Sequence, residues 1–363
     1  MKLLILATDY PDLNGNIASY FIHTRCLFYL KEGIELEVLN FRAKENYTID
    51  GVKVITLDEY GKCENKNYDL LISHAPNLRN HYKFLRQYGN NFKKYLFFFH
   101  GHEVLKINKD YSKPYDYMEK KLTFLRDIYD FIKLKVWHKF FIKYNEKSYY
   151  IFVSNWMKEM FFKNTKIKEE TLDGHYFITY NSIDKEFENN NYDLTENKKY
   201  DFITIRGNLD GSKYCIDIVN QLAKQNPELK FLVVGKGKYF KINEKSNNIE
   251  WLEKYCNHDE IIKLLNQSKC ALMPTRTDAQ GLMMCEMATF GIPLITSDIP
   301  ISHEVFDDFD NVEYIDNNSI ENENILEKYN KILHKKKIQK NKKYFLDANC
   351  MNEVNIIKDI FKK

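Results

Sequence analysis

The chain has 363 residues, 44% of them hydrophobic, which is enough for two domains of ordinary size, each with a buried core. The net charge of +3 is too small an excess for a general nucleic-acid binder. No stretch approaches the roughly 18 apolar residues of a membrane span. The cysteines at 26, 63, 215, 256, 270, 285 and 350 are odd in number, form no CxxC and sit partly in apolar runs, which points to reduced, structural thiols in a cytosolic protein.

The N-terminal MKLLILATDY holds a first strand, Lys2–Ala7, too short for a signal peptide. The loop after it carries the turn Asn14-Gly15-Asn16 and then a helical pattern from Ile17. Glycine there would let a phosphate or a substrate come close to the helix start. Further strands are expected at Leu36–Phe41, Leu70–Ser73, Tyr95–His100 and Tyr150–Ser154. The fourth of these five ends in Phe99-His100-Gly101-His102-Glu103, where a polar group follows an apolar run at a strand end. Histidine at such a place can donate, accept or shuttle a proton near neutral pH. It lacks the HExxH spacing of a zinc helix. Between Tyr129 and Tyr150, Lys135, Lys139, Lys143 and Lys147 recur every fourth residue among Phe131, Trp137, Phe140, Phe141 and Tyr144. That pattern suits either the surface of an anionic membrane or a core helix whose lysines snorkel to solvent.

The second half repeats the alternation. Strands are expected at Phe202–Ile205, Phe231–Val234, Ile249–Leu252, Ala271–Pro274 and Pro293–Thr296. Apolar runs without period-2 alternation, separated by helices, predict parallel strands covered on both faces. The fold class is therefore α/β, with two Rossmann-like doubly wound domains. Residues 1–185 form the first, acceptor-side domain, and the polar, Asn-rich 186–199 is the linker. Residues 200–345 form the second, and 346–363 a terminal helix with Val354, Ile357, Ile360 and Phe361 apolar, expected to pack back on the first domain. Ligands of such sheets bind beyond the carboxyl ends of the strands, so a cleft between the domains is the expected site.

Three loops of the second half carry the chemistry. Arginine is scarce, with seven in the chain, so Arg206 and Arg276 in these loops stand out. The segment Arg206-Gly207-Asn208-Leu209-Asp210-Gly211-Ser212-Lys213 is a glycine-containing loop with a cation at each end. Val234-Gly235-Lys236-Gly237-Lys238 is a second glycine-rich strand end. The stretch from Cys270 to Ser297 reads strand, loop, helix, strand, with Gly281 opening the helix and Gly291 closing it. A helix N-terminus presents free amides and a partial positive charge to a phosphate. Asp278 and Glu286 frame this one, because helical side chains lean toward the N-terminus. Carboxylates there would accept sugar hydroxyls while cations elsewhere balance a phosphate, and a nucleotide-sugar offers both parts.

With those loops in view, the chain resembles the family 4 retaining glycosyltransferases of the GT-B fold, most closely from Phe202 to Val305. The family's acid, glycine and second acid look like Asp278, Gly281 and Glu286, with aspartate in place of the usual first glutamate. The resemblance implies that Asp278 contacts the donor sugar and Glu286 the ribose. It also implies that Lys213 holds the diphosphate, with Arg206 substituting for the family arginine where this chain has Asn208. His100 matches the histidine at the fourth strand end, Ser154 the serine after the last strand of the first domain, and Asn181–Asp184 the hinge loop. Gly15 and Asn16, Gly207, Gly235, the amides of Gly281, Leu282 and Met283, and Tyr255 in Trp251-Leu252-Glu253-Lys254-Tyr255 complete the implied donor contacts. The implied reaction is metal-independent, needs no cofactor and keeps the anomeric configuration. It moves a hexose from a UDP- or GDP-linked donor to a glycan or lipid-linked acceptor in cell-surface polysaccharide synthesis. That implies a cytoplasmic protein, with peripheral contact to the inner face of the membrane left open, and no nucleic-acid partner. Two other readings stay open: a catalytically inactive GT-B-like glycan-binding or transferase-partner subunit, favoured by Asn208 and Asp278, and a GT-B epimerase or phosphorylase, disfavoured by the acid pair.

Overall fold

The computed structural model describes residues 1–16, 18–63, 67–118, 123–335 and 340–362; Ile17, where a helical pattern was expected to start, and Lys363 lie outside them. The chain divides into two compact units. The first comprises Met1–Ile107, Leu125–Ser182 and Asp347–Lys363, and the second Asn108–Phe124 and Ile183–Leu346. The stretch Asn108–Phe124 thus belongs to the second unit although first-unit segments flank it in sequence.

The first unit contains β1 (Lys2–Ala7), β2 (Glu35–Asn40), β3 (Tyr47–Ile49), β4 (Val52–Ile55), β5 (Leu70–His74), β6 (Lys94–Phe99), β7 (Ser148–Phe152) and β8 (Tyr176–Ile178). They form one sheet in the order β3-β4-β2-β1-β5-β6-β7-β8, parallel except where β3 pairs antiparallel with β4. The second unit contains β9 (Tyr200–Asn208), β10 (Phe231–Lys236), β11 (Ile249–Leu252), β12 (Ser268–Leu272), β13 (Leu294–Ser297) and β14 (Val312–Ile315). Their order is β11-β10-β9-β12-β13-β14, and every pairing is parallel. Both sheets are doubly wound, and the inner strands read buried residue after buried residue, as in Leu3–Ala7 and Phe231–Val234. Burial on both faces is what removes the alternation from these sequences. The short strands β3, β4, β8 and β14 escaped the sequence reading. They run three or four residues; β3 and β8 hold no fully buried residue, and β4 and β14 are interrupted by Lys53 and Glu313, so no long apolar run marks them.

The Asn-rich stretch after Asp184 is folded onto the second unit. Lys185–Asn189 form a short helix capped by the Asp184 carboxylate, Tyr192 donates its amide to Phe290 O, and its hydroxyl bonds Ser268 O at 2.7 Å. The C-terminal helix Leu346–Lys362 belongs to the first unit from Asp347 onward. Its inward line is Cys350, Glu353, Val354, Ile357 and Ile360, while Phe361, expected on the apolar face, is 53% exposed. Glu353 is fully buried and takes Arg25 Nε on both oxygens, at 2.9 and 3.1 Å, and the Tyr29 hydroxyl at 2.6 Å.

The helix Thr123–Lys143 resolves the lysine-and-aromatic pattern. Trp137, Phe140 and Phe141 are core residues, whereas Lys135, Lys139 and Lys143 are exposed. Lys147 leaves the stripe: it lies in the turn Asn145–Lys147, its ammonium 4.3 Å from the Tyr95 ring. No helix among the described residues is long and apolar enough to cross a membrane.

Candidate functional site

In the second sheet β9 is flanked by β10 on one side and β12 on the other, so the chain winds away from it in both directions. The loops after β9 and β12 therefore leave the sheet side by side, the arrangement that opens a ligand crevice in this class of fold. Their backbones are tied together. Arg276 N and Thr275 Oγ1 both donate to Lys213 O, at 2.9 and 3.1 Å, and Arg206 Nη2 donates to Pro274 O at 2.7 Å. Arg276 spends its guanidinium inside this lock, on Ser212 O and on both oxygens of Asp217.

Arg206 is 6% exposed and its Nε has no hydrogen-bond partner. Burial pulls its pKa down, and the nearby Asp278 carboxylate acts in the opposite sense. A buried, charged donor without an acceptor is costly; an anionic oxygen would relieve that cost. Among the described residues the Lys213 ammonium has aromatic rings for neighbours, Tyr214 at 4.7 Å and Tyr111 at 6.0 Å, and no carboxylate. Two cations thus stand without a full complement of protein acceptors on one loop.

The helix Leu282–Phe290 faces this loop from the β12 side. Gly281 is its N-cap residue, at φ 76°, and a Cβ there would lie 2.3 Å from Met284 Cε. Glycine is favoured by the left-handed backbone, and an added Cβ would also displace the end of the Met284 side chain. Leu282 and Met283 are the first helical residues, so their amides lack intrahelical partners. Asp278 Oδ1 accepts from Ala279 N at 2.8 Å, which fixes its carboxylate just before the helix. Glu286 is buried on the same helix. Burial pushes its pKa up to about 7, while the His258 side chain and the Asp184 backbone amide favour its charged form.

The neighbourhood of Glu286 holds residues that sequence reasoning did not assign to the site. His258 Nδ1 lies 3.3 Å from Asp184 Oδ2, and this carboxylate raises the His258 pKa. Asp184, Glu186 and His258 bring their ligand atoms within 4.8 Å of one another, the kind of set that could hold a metal ion. His258 opens a helix marked by the capping box Asn257/Glu260. That signature locates the element but not its neighbour, because Glu286 is reached only through the tertiary fold.

The other residues singled out in the second half of the sequence divide by what they touch. Gly235, at φ 143°, lets β10 approach β9, since a Cβ would fall 1.8 Å from Arg206 O. Its carbonyl accepts Trp251 Nε1 at 2.9 Å. Gly207 and Asn208 are exposed at the end of β9, where Asn208 Oδ1 takes Asp210 N at 2.9 Å. Tyr255 is 66% exposed, and Lys236 Nζ lies 4.5 Å from its ring.

In the first unit, His100 follows β6 and stands 3.3 Å from His74 Nδ1 through its Nε2. Burial and the charge of Arg25 pull its pKa well below the usual histidine value, and a hydrogen bond with Asn181 opposes them. His100 is therefore neutral at physiological pH. The loop that carries it is clamped. Glu103 accepts from His100 N and Gly101 N, Lys133 Nζ donates to His102 O and Leu105 O, and Asp130 accepts from Ile107 N. Gly15 is left-handed at φ 89°, with open space where a Cβ would stand. The Asn16 amide holds its own loop, through Asp9 Oδ1 and Tyr10 O. Ser154 caps the helix Asn155–Thr165 by accepting from Met157 N.

Two doubly wound sheets, parallel but for the β3/β4 pair, the second with a cationic loop and a glycine-opened helix at its switch point, define the class: the protein has the GT-B fold of glycosyltransferases. Residues 186–345 match the family Glycosyl transferases group 1. The chain is 30% identical over 177 residues to the O-antigen biosynthesis glycosyltransferase WclY of Escherichia coli. That match takes in 41% of this chain and 47% of the relative, so the chain spans about half the length of the curated relatives it matches. Among solved structures, sucrose-phosphate synthase from Thermosynechococcus elongatus superposes with a TM-score of 0.69 at 11% identity over 99% of both chains. WaaG, a glycosyltransferase involved in lipopolysaccharide biosynthesis, gives 0.63 at 12% identity over 98% of this chain and 99% of its own.

Proposed function

We propose that the protein is a retaining glycosyltransferase that moves a sugar from a UDP- or GDP-linked donor to a glycan or lipid-linked glycan in cell-surface polysaccharide synthesis. The reading rests above all on one observation. Arg206, whose buried Nε lacks an acceptor, and Lys213 lie on the loop after β9, and Asp278 and the Gly281 helix start follow β12, the strand next to β9 at the switch point, with Glu286 on the same helix. Its wider support is the group 1 match over 186–345 and the similarity to an O-antigen glycosyltransferase.

In the proposed reaction the bond from the sugar C1 to the diphosphate oxygen breaks, and both electrons leave on that oxygen. The acceptor hydroxyl oxygen bonds C1 on the same face, and its proton passes to the departing phosphate. Lys213, Arg206 and the amides of Gly281 to Met283 stabilise the charge that develops on the diphosphate, the electrostatic route to catalysis. Asp278 bonds the sugar hydroxyls and Glu286 the ribose, and neutral His100 of the first unit is given a catalytic role by the family resemblance alone. On this reading no metal takes part, and the protein works in the cytoplasm. The proposal further places it in peripheral contact with an anionic membrane. The helix Thr123–Lys143 exposes Leu125, Ile128, Phe131 and Ile132 together with Lys135, Lys139 and Lys143, apolar and basic groups that suit such a surface.

A panel of UDP- and GDP-sugars, scored by thermal shift and by donor hydrolysis or transfer, tests the enzyme reading. One donor should raise the melting temperature and be consumed, and Lys213→Ala should lower turnover by about 100-fold or more. Donor binding without turnover would favour the inactive partner subunit, and no binding at all would sink both. Flotation with anionic vesicles tests the membrane contact: it should be lost in Lys135→Glu/Lys139→Glu and on neutral vesicles.

A further inference from the structure

The two cations of the β9 loop share one aromatic ring. Arg206 Cζ lies 5.0 Å and Lys213 Nζ 4.7 Å from the centre of Tyr214. The electron-rich face of a tyrosine attracts a cation without forming a salt bridge with it, and so offsets part of any repulsion between two cations set about one ring. A carboxylate would pair with the cations and compete with a ligand; a ring does not. Tyr214 reaches this position because residue 211 is glycine: a Cβ there would meet Tyr214 Cδ2 at 2.9 Å.

The loop is also held from outside its own half of the sequence. The segment Asn108–Phe124 lies against the second unit, with Tyr115 and Tyr117 packed on that unit's core. Ser112 Oγ meets Ser212 Oγ at 2.9 Å. Tyr117 OH donates to Asp210 and Tyr115 OH to Asp217, each at 2.9 Å. Asp217 is the carboxylate that Arg276 grips. The strap thus ties down the residues on both sides of Lys213, and Tyr111 adds a second ring beside the ammonium.

Resting on the donor-site reading, we infer that Tyr214 and the tyrosines of the 111–117 strap are positioning residues for diphosphate binding: they hold Arg206 and Lys213, neither of them in a salt bridge among the described residues, as a pair of cations that grips the pyrophosphate group of the donor.

Titrations of the full chain with inorganic pyrophosphate, UDP and uridine test this. Tyr214→Leu and Gly211→Ala should weaken pyrophosphate and UDP about tenfold, and Tyr115→Phe/Tyr117→Phe about threefold. Tyr214→Phe keeps the ring and should bind as the parent does. Uridine has no phosphate, so its affinity should not move in any variant; a general loss of structure would move it. The double phenylalanine variant keeps both rings in the core and remains informative if Tyr214→Leu fails to fold. Unchanged pyrophosphate affinity in Tyr214→Leu and the double variant, with binding lost in Lys213→Ala, would overturn the inference and leave the donor reading standing. If Lys213→Ala also bound pyrophosphate normally, the donor reading itself would fall.

Discussion

On the proposed reading, the protonation of one side chain, Glu286, would tune ligand binding. Its carboxyl is pushed up to about 7 by burial, above its ordinary value of about 4.3. A carboxyl raised in this way contributes stability that is present below the unfolded value and lost as pH rises through about 7. If ribose hydroxyls donate to the carboxylate, UDP affinity should rise from pH 6 to pH 8, and Glu286→Gln should flatten that profile; titration at several pH values reads it directly. Gly281 is a second residue whose chemistry is decided locally. Gly281→Ala forces a Cβ into a left-handed backbone at φ 76° and onto Met284, which should cost about 1–2 kcal/mol in urea unfolding and weaken diphosphate binding by shifting the helix start. Both residues were legible in the sequence, through the spacing of Asp278, Gly281 and Glu286. The protonation of Glu286 was not, because it depends on burial and on His258, 28 positions away in the chain.

At the scale of elements, the C-terminal helix is joined to the first unit by a buried ion pair as well as by apolar contact. Arg25 is 3% exposed and Glu353 is fully buried; Arg25 also donates to Asn181 Oδ1 and Phe21 O. Removing one partner of such a pair leaves an uncompensated charge in the core, so Glu353→Ala should cost about 3–5 kcal/mol, read as a lower urea midpoint. A double replacement that also makes residue 25 methionine should recover much of that loss. Helical periodicity was enough to predict this helix, yet it placed Phe361 inward and gave no role to Glu353. Periodicity assigns a face, and a buried charge on that face becomes intelligible only when its partner on another element is known. The helix Thr123–Lys143 teaches the same lesson. Its aromatic residues include both core and surface groups, and the four-residue lysine spacing ran past the end of the helix to Lys147.

For the whole molecule, the buried histidines set the response to acid. His74, His81 and His100 are held neutral, His81 down to about 3 and the others well below the usual value, with burial the largest cause in each. Unfolded histidines titrate near 6.5, so these groups contribute stability that is complete above that pH and is lost as pH falls below it. For His81 the loss continues to about pH 3, at roughly 1.4 kcal/mol per pH unit. The urea midpoint should therefore fall steadily below pH 6, and His81→Asn should shallow that fall. The sequence by itself determined the two parallel, doubly wound sheets and the loops that carry Arg206, Lys213, Asp278 and Gly281. Apolar runs and glycine positions are local signals, written by burial on both faces and by backbones that only glycine tolerates. Tertiary structure alone decided that the stretch Asn108–Phe124 folds with the second unit, that Tyr214 lies against both cations, and that His258 attends Glu286. Each of these joins residues far apart in the chain through contacts that no local pattern records.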